Sequence, residues 1–380
     1  MIYLDYAAAT PVNTKAKQAM MPFFSEQFFN PSAPYLPAKH VRAAYAEAKD
    51  TLAHLIGAKG ADLVITAGAT ESINLAFTAC QGHALILATE HPAVQAAATA
   101  AAEVTEIKAD RTGRIDLVDF RTKLTPEISF ISIALANGEL GTIQPLAEIS
   151  AIINTERQRR LAAGEQTPLF FHSDASQALG LMDLSVARLG VDLLTLNSAK
   201  VYGPKGVGAL YLSHDVRLKP LIHGGGQELG LRSGTENVPG VVGFAVAASE
   251  AKAHISSHRK QYQKLVALLR TELAKSPVEP IFLGDLKHQL ANFCPVSFPG
   301  IDAERLIYRL EEQEIYLSTG AACAASKGQP SRALTAIGLT DAEIAGSLRI
   351  TLGTQTTEAD IKAAATAIVH VVKEEYDRQN

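Results

Sequence analysis

Tryptophan is absent from these 380 residues, and cysteine nearly so. The three cysteines, Cys80, Cys294 and Cys323, lie far apart and form no CxxC pair. That spacing excludes a zinc-ligand set and a disulfide framework, so no metal is expected and a reducing compartment is indicated. No apolar run is long enough to span a bilayer, and the opening residues lack the basic stretch and apolar core of a signal peptide. A cytoplasmic protein without a membrane partner is the expectation. Charge is sparse too: 19% of residues are Asp, Glu, Lys or Arg, the net charge is −4, and no long Lys/Arg-rich run occurs. Direct nucleic-acid binding is therefore not expected.

What the chain has in quantity is apolar residues, 47%, with alanine prominent. This is the composition of a well-buried α/β protein rather than a disordered one. The length exceeds one core of ordinary size, so a large and a smaller lobe are expected. Helical patterns over 13–24 and 38–56 precede a first strand at 63–66. Further strands are predicted at 84–88, 104–108, 128–135, 168–174, 191–197 and 208–212, with helices at 73–80, 92–103, 116–124 and 146–160 between them. Seven strands interleaved with helices predict βαβ units and a mostly parallel sheet covered on both faces. Near residue 239 the texture changes. An alanine-rich helical pattern runs to 276, strand-like segments follow at 281–283, 293–298 and 315–318, and a helix covers 358–377. We read 13–240 as a large domain, and 1–12 with 241–380 as a smaller α+β domain.

The chemistry concentrates where strands end. The run 168–174 ends on Asp174, and the run 191–197 leads to Lys200 before the turn Tyr202-Gly-Pro-Lys-Gly206. An acid and a lysine so placed are what pyridoxal phosphate chemistry requires: the amine forms a Schiff base and the carboxylate keeps the pyridine nitrogen protonated. Lys205 is a second candidate amine, but its Gly-Pro-Lys-Gly setting reads as a turn. In open α/β sheets ligands bind beyond the carboxyl ends of the strands. There, Gly68-Ala69-Thr70 can hold a phosphate with backbone N–H groups, the Thr70 hydroxyl and a helix N-terminus. His91 can lie flat on an aromatic ring and move protons, and Gln177 can reach the ring oxygen.

Several long stretches then share one resemblance. His172-Ser-Asp-Ala-Ser-Gln177, the stretch Lys200 to Tyr211, His223 to Thr235, and Ser318-Thr-Gly-Ala-Ala-Cys323 resemble cysteine desulfurases of the NifS/IscS type, within the class V aminotransferases. Tyr3-Leu-Asp-Tyr-Ala-Ala-Ala-Thr-Pro11 and Gly68-Ala-Thr-Glu-Ser72 fit as well, and the likeness covers essentially the whole chain. It implies the PLP-dependent transferase fold of type I, pyridoxal 5'-phosphate as cofactor and L-cysteine as substrate. It implies Lys200 as the Schiff-base lysine, Asp174 at the pyridine nitrogen, Gln177 at the ring oxygen, and His91 stacked on the ring. Ala69, Thr70, Asn197 and Ser198 would belong to the cofactor site, and Thr235 would reach the phosphate of a neighbouring subunit in a homodimer. Arg349 would pair with the substrate carboxylate through its planar fork, with Asn137 beside it. Cys323, among small residues bounded by glycines and a proline, is expected in a mobile loop, with its thiolate taking sulfur as a persulfide and releasing alanine. Cys80 and Cys294 read as packed structural residues. A sulfur acceptor or iron–sulfur scaffold protein is the implied partner.

Four positions depart from the family pattern. Gly138 stands where a second Asn is usual in Asn-Asn-Glu-x-Gly. Asn197-Ser-Ala199 replaces Ser-Gly-His before the lysine. Pro34 and Tyr35 interrupt an early loop, and no tail follows the last helix. Each lost contact is worth on the order of 1–3 kcal/mol. Alternatives in the same family are a selenocysteine lyase or an aminotransferase; another is a weakly active member kept for partner binding.

Overall fold

The computed structural model describes residues 1–319 and 330–379. After a short strand β1 (Ile2–Tyr3), seven strands make the main sheet: β2 (Leu63–Thr66), β3 (His83–Leu87), β4 (Glu103–Ile107), β5 (Ile128–Ser132), β6 (Phe170–Asp174), β7 (Leu193–Asn197) and β8 (Gly208–Leu212). Their order is β2-β8-β7-β6-β5-β3-β4. β8 is antiparallel to both neighbours, and every other pairing is parallel. The α/β fold with a seven-stranded, mostly parallel sheet is therefore as the strand–helix alternation predicts. β2 and β5 are buried along their whole length, because helices cover both faces of a parallel sheet and leave no wet side for alternation.

One polar cluster inside the sheet is paired across three strands. His172 lies between the Ser132 hydroxyl at 2.8 Å and the Thr195 hydroxyl at 3.0 Å. Burial pushes its pKa down to about 3, so the ring stays neutral and structural.

The helices differ from the sequence reading in three places, each with a local cause. The helix after β2 is Ala69–Phe77, starting four residues before the predicted 73, because Gly68 serves as its N-cap. The first helix, Thr14–Met20, gives way to a separate turn Pro22–Ser25, since Pro22 has no N–H to continue the ladder. The long alanine-rich helix is two, Val238–Ala253 and Ile255–Leu273, broken where His254 leaves helical dihedrals at φ −112°, ψ 6°.

A second sheet, antiparallel, has the order β12-β13-β10-β9. Its strands are β9 (Ile281–Phe282), β10 (Phe293–Ser297), β12 (Ser318–Thr319) and β13 (Ser347–Thr351). β1 pairs in parallel with β11 (Ile315–Tyr316). β1 and β13 went unread in the sequence; β13, Ser-Leu-Arg-Ile-Thr, alternates as a strand should but is only five residues long. This sheet has its own core, including Tyr262, Leu269, Phe298, Leu306, Ile350 and Ile368. Leu4 belongs to that core, so the chain start is built into the C-terminal half.

The segment just after Leu4 links the two sheets. Asp5 bridges to Thr351 on β13, the Ala7 N–H donates to the Thr351 hydroxyl at 2.9 Å, and the Thr10 N–H donates to the Ala199 carbonyl at 3.0 Å. Residues 5–10 thus run from β13 to the turn after β7.

Candidate active site

Register brings the sequence-predicted residues to one edge of the main sheet. Gly208 on β8 pairs with Thr66 on one side and Asn197 on the other, while Asp174 pairs with Thr195. The ends of β2, β6 and β7 therefore lie level, where side-chain and backbone groups not used by the ladder can meet a ligand.

Beyond β7 the chain makes a short 3₁₀ turn, Ser198–Lys200, capped by Asn197, whose Oδ1 accepts from the Ala199 N–H at 3.2 Å. The Lys200 Nζ donates to the carbonyls of Ala7 at 2.8 Å and Ala8 at 2.5 Å. Gln177 Nε2 donates to the same Ala7 carbonyl at 3.0 Å, so amine and amide share an acceptor. The next residues are strained: Tyr202 has φ 64°, rare outside glycine and asparagine, and holds it through its N–H to Thr10 Oγ1 and its hydroxyl to the Thr354 N–H. Lys205, the rival amine, is exposed and donates to the Thr10 carbonyl at 2.7 Å.

Asp174 ends β6 with its carboxylate partly accessible, accepting from the Ser176 N–H at 2.8 Å. The Ser176 hydroxyl is buried without a partner among the described residues. His91 caps the helix Pro92–Ala101, its Nδ1 accepting from the Ala93 N–H at 3.1 Å. That bond leaves Nε2 to carry the proton of a neutral ring. Surrounding protein lowers the His91 pKa; Asp174 opposes the shift, and the charges of Lys200 and Arg349 add to it. His91 thus lies within electrostatic reach of Asp174, Lys200 and Arg349. Glu90, next in sequence, is buried; its Oε1 accepts from the Ala134 N–H at 2.7 Å and its Oε2 has no partner among the described residues. Burial, helped by the Asp174 charge, lifts its pKa to about 8.

At the end of β2, Gly68 takes φ 147°, ψ −178°, a conformation open to glycine. It places no side chain over the helix Ala69–Phe77, whose first-turn amides stay available. Thr70 is exposed at this N-terminus. Glu71 closes the turn, accepting from the Ala67 N–H at 2.9 Å and from Arg232 Nε at 3.0 Å. Arg232 ties the cradle to the loop carrying Thr235, itself exposed. The partly accessible Asp174 acid, the neutral His91 ring, the amine, the uncapped helix start and the unpartnered Ser176 hydroxyl are together the donor and acceptor set that a phosphorylated pyridine aldehyde requires.

The other side of the site comes from the second sheet. Arg349 on β13 is 9% exposed. Its Nη2 donates to Asp5 Oδ1 at 2.7 Å and its Nη1 to the Gly138 carbonyl at 3.2 Å, while its Nε is buried without a partner among the described residues. Burial raises the Asp5 pKa, against the pull of Arg349 and then Lys200. Asn137 is committed to its own turn: its Nδ2 donates to the Thr89 carbonyl at 2.8 Å, and its Oδ1 accepts from the N–H groups of Glu139 and Leu140, both at 2.8 Å. It holds this turn beside His91 and presents the Gly138 carbonyl to Arg349. Glu139 accepts from the Ser331 hydroxyl at 2.5 Å, and burial lifts its pKa to about 7.

Lys200, Asp174, Gln177, His91 and Arg349 thus converge, with Ala69, Thr70, Asn197 and Ser198 along the same edge. The Ser198 hydroxyl is buried and unpartnered among the described residues. Cys323 lies outside the described residues. Cys294 is fully buried and its thiol is pushed up to about 11, and burial raises Cys80 as well, so both suit structural roles. A cavity of about 290 Å³, bordered by Lys200, Gln177, Tyr6, Tyr202 and Tyr262, reaches the amine from between the two cores. Sequence reasoning missed Asp5, Glu90, Glu139 and the Ala7 and Ala8 carbonyls. Asp5 stood inside a motif already singled out; the backbone acceptors left no signal.

Comparison with known proteins accords with this geometry. The family model described as aminotransferase class-V matches residues 2–364. The cysteine desulfurase IscS of Dictyoglomus turgidum is 35% identical over 386 residues, covering 98% of this chain and 94% of the relative. The cysteine desulfurase IscS 1 of Archaeoglobus fulgidus is 37% identical over 385 residues, covering 98% and 97%. A solved NifS-like protein from Rickettsia africae superposes with a TM-score of 0.88 at 28% identity, covering 99% of each chain.

Proposed function

This chain belongs to the aminotransferase class-V family, and from that premise we propose that it is a pyridoxal phosphate-dependent cysteine desulfurase, converting L-cysteine to L-alanine and passing the sulfur to Cys323. Relatives named cysteine desulfurase, 35% and 37% identical over nearly full length, support the activity. The single observation that carries the residue assignment is convergence: Lys200, Asp174, His91 and Arg349 arrive from four separated stretches at one cleft.

In this reading Lys200 is the amine that holds the cofactor and later moves the proton at the substrate α-carbon. The Ala7 and Ala8 carbonyls give that amine a place to rest when displaced. The Asp174 carboxylate would face the pyridine nitrogen, Gln177 would donate to the ring oxygen, and the His91 ring would lie against the ring face. The start of the helix Ala69–Phe77, which has no side-chain cap, would with Thr70 hold the phosphate. Bound there, the cofactor would supply an electron sink for the bond broken at the substrate. Arg349 takes the substrate carboxylate with donors left on its two terminal nitrogens. The Cys323 thiolate attacks the substrate sulfur, forming an S–S bond as the Cβ–S bond breaks; the electron pair of that bond stays with the substrate carbon, which takes a proton to give alanine, and the persulfide remains on Cys323.

A homodimer completes this reading. Met21, Phe24, Phe28, Tyr35 and Leu36 are exposed within sixteen residues, Phe28 to 67%, a concentration of apolar surface that suits burial against a second copy. Thr235, on an exposed loop, would then reach the partner's phosphate site. No helix among the described residues is long and apolar enough to cross a membrane; we place the enzyme in the cytoplasm, with a sulfur-acceptor protein as partner.

The test is direct. Purified protein loaded with pyridoxal phosphate should convert L-cysteine to equal amounts of alanine and sulfide when a reductant is present. Borohydride treatment and peptide mapping should label Lys200. A loaded sample that yields neither product overturns the activity. Cys323→Ala should abolish sulfide release; unchanged turnover would instead favour an aminotransferase or lyase.

A further inference from the structure

Arg349 reaches the site across a gap between two cores, and its orientation there has few supports. Strand β13 carries it; among the described residues the guanidinium hydrogen-bonds to Asp5 at 2.7 Å and the Gly138 carbonyl at 3.2 Å, and its Nε has no partner. Of five N–H donors two are committed, and the contact to Asp5 is the shorter and the charge-assisted one. A second acid stands close. Glu139 feels the charge of Arg349 and sits in the same turn as Gly138. Without Asp5, the guanidinium is free to turn from the cleft toward Glu139.

Asp5 is well placed to prevent that. It is anchored by the bridge to Thr351, two residues along β13 from Arg349, and by its neighbours in the segment that holds Lys200 and Gln177. The side chains of the pair are 10% and 16% exposed, so water screens the contact little. Gly138 has no side chain, so that turn meets Arg349 through its backbone carbonyl.

We propose that Asp5 is the positioning residue for carboxylate recognition: it fixes the Arg349 guanidinium with its free donors facing the cleft, and so makes the site selective for amino acids over amines. The inference rests on the reading of this cleft as an amino-acid site. Asp5 touches neither cofactor nor substrate; it acts through Arg349.

The experiment compares two ligands of the cofactor-loaded protein, L-alanine and ethylamine, which is alanine without its carboxylate. Wild type should bind alanine much the tighter. Asp5→Asn, which keeps the shape and removes the charge, should weaken alanine at least ~10-fold and leave ethylamine within about twofold, the scale of one charge-assisted contact. Asp5→Glu should recover part of the loss. In an Arg349→Gln background, Asp5→Asn should change neither affinity further, since the two residues form one unit; this double variant also serves if the single one folds poorly, because it leaves no unpaired buried cation. With L-cysteine, KM should rise and kcat stay within about threefold. Equal weakening of both ligands, tighter alanine binding by Asp5→Asn, additive losses in the double variant, or no alanine binding by wild type overturns the proposal. Intact ligand discrimination without sulfide or alanine production would instead count against the desulfurase reading alone.

Discussion

The two walls of the cleft are built differently. One wall is the carboxyl edge of the main sheet, where Asp174 and Asn197 end buried strands and Lys200 and the Gly68 turn lie just beyond them. Its groups are set by strand register, and two have local supports: Asn197 caps the turn two residues on, and His91 caps its own helix; the tips of Lys200 and Gln177 reach far along the chain, to the carbonyls of residues 7 and 8. The other wall, Arg349 with Asp5 and the Gly138 carbonyl, draws on residues 344 and 211 positions apart in the chain. A rigid shared scaffold gives the first wall precision at little cost. The second depends on two cores keeping their relative placement, so it is the more easily perturbed and the more open to tuning.

Four substitutions test this contrast. Lys200→Ala removes the one group on the first wall without a substitute, and turnover of L-cysteine should fall by ~1000-fold or more while the fold, read by circular dichroism, stays intact. Gly141→Ala strikes the joint between the walls. Gly141 has φ 70°, its carbonyl accepts from the Leu290 N–H, and a Cβ there would come within 2.7 Å of the Phe293 Cβ and 2.6 Å of its Cγ. A loss of about 3 kcal/mol in unfolding free energy is expected from strain and overpacking, measured by denaturant titration. If stability is unchanged, the two cores are not coupled through this turn.

Smaller effects test electrostatics. Glu90 has its pKa raised to about 8, so between pH 4.5 and 8 the folded state holds a proton that the unfolded chain has released. That contribution to stability is present below about pH 4.5 and is lost as pH rises through 8. Glu90→Gln keeps an acceptor for the Ala134 N–H and should flatten the fall in melting temperature between pH 4.5 and 8 by a few degrees; identical profiles for variant and wild type would contradict it. Least of all, Gly138→Asn should be tolerated, since a Cβ there meets Gln177 Nε2 at an ordinary 3.4 Å. It should lower the KM for L-cysteine severalfold by returning a side-chain donor to the weaker wall. An unchanged KM would mean that the backbone carbonyl suffices.

The legibility of the two walls differs in the same way. All seven main strands could be read, most of them because they are short, mainly apolar runs between helical patterns, and Asp174 and Lys200 stand at or just past the ends of two of them. Asp174, Lys200 and the Gly68 turn were found by that rule, Gln177 by its place three residues past Asp174, and the family resemblance added roles for Arg349 and Cys323. Strand β13 escaped because five alternating residues, Ser347–Thr351, do not stand out from a loop. Asn137 was legible as a residue of interest, but its amide is spent on the Thr89 carbonyl and its own turn. Nothing in the one-letter string shows that a side chain already has its partners.

Neighbouring residues alone were enough to set the strand ends and what stands on them: an acid after one run, an amine after another, a glycine that opens a helix start. Apolar periodicity and backbone freedom account for these. Long-range packing was needed for Asp5 to meet Arg349, for the Ala7 carbonyl to serve both Lys200 and Gln177, and for Glu90 and Glu139 to hold protons near neutral pH. Such pairings and shifts arise from desolvation and from contacts between distant segments, which exist only once both cores are packed.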